Sequence, residues 1–232
     1  MKTKPIADIT PFSMLDYSGI PSAIIWFRGC NMRCSYCYNV EIINSKGLMS
    51  TKEALAFLNE RKGLLKGVVL SGGEATLYKR INSFSASIKQ MGYKIKLDTN
   101  GTNPKKLKKL LDDGLIDFVS LDYKAPKYKF KQITKIATTY YEKVEQSLAY
   151  LKDSGTSYEV RTTVHNDLLN AFDISQIIKS LKKREYDKTY YIQNFIQSQN
   201  LDGIEPSEKS YNLTDIVKAA NENKIAVDFR NF

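Results

Sequence analysis

The chain has 232 residues, 42% hydrophobic and 26% charged, which suits a globular protein and excludes collagen-like or disordered classes. That length predicts one domain over 1–232 with a sizeable core, and no apolar run approaches the roughly 20 residues needed to span a bilayer. Lys and Arg number 35 against 25 Asp and Glu, a formal charge of +10, which fits a Lys-rich solvated surface or an acidic partner better than nucleic acid.

Residues 1–12 are mixed and lack a signal-peptide apolar stretch, so the expected location is the cytoplasm, without a membrane partner. Ala23-Ile24-Ile25-Trp26-Phe27 predicts a buried first strand, with Asp16 just before it. Ser50-Thr51-Lys52-Glu53 is a capping-box pattern opening a helix. Val68-Val69-Leu70 predicts a second strand, which runs into Ser71-Gly72-Gly73-Glu74. Ile81, Phe84, Ile88 and Met91 recur at helical spacing. Residues 94–97 alternate apolar and polar as a third strand and end in Asp98-Thr99-Asn100-Gly101. Pro104 suits the first turn of a helix stopping at Gly114, whose Lys105, Lys106, Lys108 and Lys109 form the polar face.

Residues 118–121 predict a fourth strand, followed by Asp122-Tyr123-Lys124. A long helix carries Tyr141, Val144, Leu148 and Leu151. Residues 160–164 form a fifth strand, and a helix with Asp173 as N-cap follows. Residues 190–192 begin a sixth strand, 198–212 form a polar loop, and a last helix precedes a closing strand at 225–229. Helices between strands imply parallel βαβ units. Six units predict an α/β fold of the partial (β/α)6 TIM-type barrel kind; an open doubly wound sheet is the competing topology.

In such barrels chemistry gathers where strands run into the following loops. Gly-Gly and Asn-Gly are ordinary turn dipeptides when taken singly. Here, however, the unusual residues recur at successive strand ends. The three cysteines, Cys30, Cys34 and Cys37, fall within eight residues. An odd, crowded set is a ligand set and not a disulfide framework. A Cys3His zinc site with His165, the one histidine, stays open. An iron–sulfur cubane with three thiolate ligands and one iron free for a small molecule suits the spacing better.

Phe27-Arg28-Gly29-Cys30-Asn31-Met32-Arg33-Cys34-Ser35-Tyr36-Cys37-Tyr38-Asn39 resembles the cluster loop of the radical S-adenosylmethionine (SAM) superfamily, and more narrowly of its glycyl-radical-enzyme activating proteins. Ser71-Gly72-Gly73-Glu74 resembles the segment that receives the SAM amino group. Leu97-Asp98-Thr99-Asn100-Gly101, Leu121-Asp122-Tyr123-Lys124 and Leu201-Asp202-Gly203-Ile204 with Pro206 match further segments. Leu15-Asp16-Tyr17 and Tyr36-Cys37-Tyr38-Asn39 lean toward the activating proteins of anaerobic ribonucleoside-triphosphate reductase. Tyr38 departs from the pattern, where many relatives carry histidine.

The resemblance implies that Cys30, Cys34 and Cys37 hold a [4Fe–4S] cluster and that SAM chelates the fourth iron. It implies reductive cleavage of SAM and hydrogen abstraction from a glycine of a partner glycyl radical enzyme. Glu74 would meet the SAM ammonium; alternatively it is an acid at a helix N-terminus. Gly72 and Gly73, lacking Cβ, would let backbone approach a ligand. Tyr36 would lie near adenine. Asp98, Thr99, Asn100 and Asp122 would surround the SAM carboxylate, and their oxygens hold a monovalent cation in some members. Lys124 and Arg161 would face anionic SAM groups, and Gln193 or Asn194 would reach the cofactor. His165 reads as a loop or SAM-proximal residue, and Asp16 as a contact for the partner's loop. The electron donor would be an acidic protein such as flavodoxin. The alternatives are activation of another glycyl radical enzyme, such as pyruvate formate-lyase, or a small-molecule reaction of the deazapurine synthase kind.

Overall fold

The computed structural model describes residues 4–197 and 199–232. The opening three residues of the 1–12 segment and Ser198 of the expected 198–212 loop lie outside the described residues. Strand β1 (Ile6–Ser13) is antiparallel to β2 (Ser22–Phe27). Helices α1 (Val40–Asn44) and α2 (Thr51–Glu60) follow, then β3 (Gly67–Gly72), α3 (Ile81–Gln90), β4 (Lys94–Thr99), α4 (Pro104–Asp112) and β5 (Phe118–Asp122). Next come α5 (Phe130–Thr134), α6 (Thr139–Asp153), β6 (Ser157–Val164), α7 (Ala171–Lys183), β7 (Tyr190–Asn194), α8 (Leu213–Asn223) and β8 (Val227–Arg230).

The sheet order is β1 to β8 in sequence, and β2 to β8 are parallel. A doubly wound sheet would reverse its strand order at a switch point; this one never does. The six predicted β/α units are therefore β2 to β7 of a partial TIM-type barrel. β1 and β8 are its two free edges, so the barrel is not closed between them.

Local chemistry explains the boundaries. Ser50 accepts from Glu53 N while Glu53 accepts from Ser50 N, capping α2 reciprocally. Asn103 caps α4 ahead of Pro104. At α7 the cap is Asn170, not Asp173; Asp173 completes the box from the third helical position. Its carboxylate also takes the Lys129 ammonium at 2.6 Å, which fixes it there.

Strand register sorts side chains onto two faces. Ile25, Val68, Leu70, Ile95, Leu97, Val119, Leu121, Val160 and Ile192 are all buried, and they join the main core with helix residues such as Leu58, Ile88, Leu107, Leu148 and Ile177. The other face is apolar only where the strands begin, as a small cluster of Tyr17, Ile24 and Val69. Farther along, the same face carries Ser71, Asp98, Asp122, Arg161, Thr163 and Gln193. Among the described residues no helix is long and apolar enough to cross a membrane.

Candidate active site

One cavity of about 320 Å³ follows that polar face. Its lining contains Cys30, Cys34, Cys37, Tyr36, Gly72, Gly73, Glu74, Asp98, Thr99, Asn100, Asp122, Lys124, Arg161, Gln193 and Asn194. Residues of six strands, β2 to β7, and of the loops after them thus converge, as expected of a parallel barrel. Asp16 lines it too. It lies in the β1–β2 connection, beside the beginning of β2, and accepts a hydrogen bond from Ser13 Oγ. The cavity therefore runs from the loop rim toward the opposite end of the barrel.

The cysteine loop is fastened on several sides. Arg33 N donates to Thr134 O, Asn31 Nδ2 to Thr102 Oγ1, and Asn39 Nδ2 to Gly72 O. Two N–H donors, Met32 N at 3.3 Å and Asn100 Nδ2 at 3.8 Å, reach Cys30 Sγ. Such donors favour a thiolate and orient it as a ligand. Burial pushes the Cys30 thiol up to about 11 and the Cys34 thiol up to about 12, through loss of water around the charged form. A positive centre among the thiols would offset that cost. The donor chemistry thus fits an iron–sulfur cluster.

His165 does not join them. Its Nε2–H donates to Glu205 O at 2.7 Å, and its Nδ1 accepts from Asp167 N. It lines a second cavity with Phe195, Pro206 and Tyr211. With both ring nitrogens engaged there, the Cys3His alternative loses its fourth ligand. Among the described residues no trio of His, Cys, Asp or Glu is grouped to hold a single metal ion.

The Gly-Gly-Glu segment is needed first for loop contact. Gly73 N donates to Phe27 O and Glu74 N to Gly29 O. A Cβ on Gly73 would sit 2.0 Å from Gly29 O. One on Gly72, whose φ is +121°, would sit 2.3 Å from Phe27 N and O. The missing side chains let the two loops touch, and both glycines also line the cavity. Gly73→Ala is expected to cost about 2 kcal/mol or more by forcing these loops apart. Urea unfolding measures it, and an unchanged midpoint would sink this account of the glycine.

Glu74 is buried. Its Oε1 accepts from Thr76 N, Thr76 Oγ1 and Thr99 Oγ1, and its Oε2 accepts from Asn100 N at 2.7 Å. The carboxylate therefore ties the end of β3 to the end of β4 and caps the 3-10 turn Ala75–Leu77. These four donors are all uncharged. Burial raises its pKa, with the hydrogen bonds opposing. A carboxylate buried among uncharged donors is costly, so this position suits a cationic group.

The next layer is ionic. Arg161 Nε donates to Asp122 Oδ1 at 2.5 Å, and Lys124 Nζ donates to Asp122 Oδ2 at 3.0 Å. Arg161 Nη2 lies 3.4 Å from Asp98 Oδ2, which also accepts from Ser71 Oγ at 3.0 Å. Burial disfavours both carboxylates. At Asp122 the cations Arg161 and Lys124 overcome it, and at Asp98 Arg161 and Lys96 do, so both pKa values end below the usual range. Lys124 ends raised: burial works against its charge, and Asp122 outweighs that. Tyr36 is buried under this group, its OH 3.5 Å from Lys124 O. Lys96 lies outside the quoted motifs, and Ser71 and Asn39 stand within them without a role of their own assigned. Tyr38 stacks on Phe195 beyond β7 and accepts from Ile196 N at 3.0 Å. Asp202 N donates to Ser35 O, which brings the Leu-Asp-Gly segment to the cysteine loop.

Comparison with known proteins agrees with this geometry. The family model described as the radical SAM superfamily matches residues 24–183. A protein of Methanocaldococcus jannaschii that carries the provisional name glycyl-radical enzyme activating enzyme is 32% identical over 196 residues, covering 82% of this chain and 79% of that one. The 7-carboxy-7-deazaguanine synthase of Aquifex aeolicus is also 32% identical, but over 85 residues, 36% of this chain and 38% of the synthase. SuiB of Streptococcus suis shares the fold with a TM-score of 0.66 at 14% identity; the match covers 89% of this chain and 48% of that longer protein. The chain belongs to the radical SAM superfamily.

Proposed function

We propose that this chain is an activase that generates a glycyl radical on a partner enzyme, and that the partner is anaerobic ribonucleoside-triphosphate reductase. The observation that carries the proposal is the cavity of the candidate site. It joins three thiols to a carboxylate buried among uncharged donors and follows a barrel that stays open between β1 and β8. An opening at the side of a barrel admits a protein loop, which a small substrate does not need. The likeness to the archaeal relative spans most of both chains and supports the same reading, whereas the likeness to the deazaguanine synthase covers about a third.

When bound, a [4Fe–4S] cluster would supply the electron for reductive cleavage of SAM, the chemistry that leads to hydrogen abstraction from a glycine of the partner. The residues of this chain bind and orient. Cys30, Cys34 and Cys37 hold the irons, with Met32 N and Asn100 Nδ2 steadying Cys30. Glu74 would take the SAM ammonium. Lys124 and Arg161 face the SAM carboxylate, with Asp98 and Asp122 holding them in place. Tyr36 excludes water beside the nucleoside. Gln193 or Asn194 would reach the cofactor, and Asp16 would meet the partner's glycine loop. On this proposal residues 1–232 form one radical SAM domain that acts in the cytoplasm. The +10 charge favours an acidic electron donor such as flavodoxin, and that steering weakens with salt.

Glu74→Gln is expected to weaken SAM binding by about 1.5–3 kcal/mol, one charge-assisted hydrogen bond, while iron is retained. Equal affinity by equilibrium titration would remove Glu74 from the SAM site. For the function itself, reduced protein, SAM and the reductase are mixed without oxygen and frozen for electron paramagnetic resonance. A glycine-centred doublet on the reductase is expected. A doublet only on another enzyme, such as pyruvate formate-lyase, changes the partner. Turnover of a purine or pterin precursor, with no protein radical on any candidate, overturns the activase reading.

A further inference from the structure

The geometry points to Lys96 as the resident cation of this site, its ammonium taking the place of a monovalent metal ion at Asp98, so that SAM binds without any added alkali cation. The inference rests on the SAM reading above. Some members of the family hold a monovalent ion at the oxygens equivalent to those of Asp98, Thr99 and Asp122, and the residues of this chain do not fit one.

A hard cation is held by several oxygens at once. Here each candidate oxygen is already met from within the chain. Lys96 Nζ lies 2.9 Å from Asp98 Oδ1. Asp98 Oδ2 has Ser71 Oγ at 3.0 Å and Arg161 Nη2 at 3.4 Å. Both oxygens of Asp122 are taken by Arg161 and Lys124. Thr99 Oγ1 is turned to Glu74 Oε1 at 2.8 Å. The Lys96 contact is an ion pair without hydrogen-bond alignment. That is how a compact ammonium acts, as a point charge, and it is also what an alkali ion would supply.

Position makes Lys96 unusual. It is 5% exposed and stands in register between Val69 and Phe118 on the inner face of the sheet. A lysine among apolar neighbours needs a paired anion, and Asp98 is its ion-pair partner. The charge balance argues the same way. Lys96, Lys124 and Arg161 are three positive groups against the two carboxylates Asp98 and Asp122. One positive charge remains, which suits the SAM carboxylate. A metal ion added here would repel three cations in a place poorly screened by water. Take Lys96 away, and Asp98 Oδ1 becomes an unpaired buried oxygen with room for an ion beside it.

The test measures SAM affinity of the anaerobically reconstituted protein at constant ionic strength, in choline chloride and in potassium chloride. The wild type is expected to bind equally in both, within about twofold. Lys96→Met is expected to bind at least about tenfold more weakly in choline, the loss of one charge-assisted contact, and to recover most of that in potassium. Lys96→Gln serves if the methionine variant does not fold, and the wild-type comparison needs no variant. Wild-type affinity that rises severalfold with potassium overturns the role of Lys96 and leaves the SAM reading standing. A variant as tight as wild type in choline does the same. No SAM binding by the wild type in either salt overturns the SAM reading itself, and this inference with it.

Discussion

Cys34→Ala is expected to purify without iron and to cleave no SAM, even after anaerobic reconstitution with iron and sulfide. Cys30, Cys34 and Cys37 are the chain's whole complement of cysteine. His165 is committed to Glu205 O and Asp167 N in a separate cavity, so the one histidine is not placed to replace a lost thiol. Two ligands cannot hold a cubane that already offers one open iron. The effect is therefore all or nothing, unlike the graded loss expected at Glu74. Iron analysis and visible absorption read it directly. A full iron complement in the variant would show that the thiols are not the ligand set.

Asp122→Asn is expected to cost about 3 kcal/mol of folding stability, the scale for removing one partner of a buried ionic network. Asp122 is the anion shared by Arg161 and Lys124, and its side chain is 23% exposed against 18% and 17% for theirs. Asparagine keeps the shape and deletes the charge. It leaves Arg161 and Lys124 beside a site whose other carboxylate, Asp98, already has Lys96. Adding Lys124→Met should recover part of the loss, because one stranded cation is then gone; contacting residues of one network couple in this way. Urea unfolding of wild type, both single variants and the double variant makes the measurement. Simple additivity, or a loss below about 1 kcal/mol, would contradict the network.

Some of this was legible in the sequence and some was not, for physical reasons. Four of the six strands of the β/α units were legible because a short apolar or alternating run ends abruptly in Cys, Gly-Gly-Glu, Asp-Thr-Asn-Gly or Asp-Tyr-Lys, and the other two because they follow helical patterns. β1 was not: Asp8 breaks its apolar pattern, Pro11 sits within it, and only its place at a sheet edge allows that proline. α1 and α5 have five residues each, too short for a period to show. The candidate site residues were readable one strand end at a time. What joins them was not. Asp98 meets Arg161 only through the register of β4, β5 and β6. Lys96 read as the polar half of an alternating strand, as if it faced water. The curling of the sheet into a partial barrel turns that face inward, and there a lysine becomes part of a site. The glycines changed meaning in the same way: their small size serves contact between two loops before it serves any ligand.

The central claim is that three thiols in this cavity hold a cluster with one iron open to SAM. The measurement is electron paramagnetic resonance of the reconstituted, reduced protein before and after SAM is added, with iron and sulfide counted on the same sample. About four irons and four sulfides per chain are expected, with a reduced-cluster spectrum whose g values shift when SAM binds. A colourless protein carrying zinc, or a cluster spectrum that SAM leaves unchanged, would contradict it.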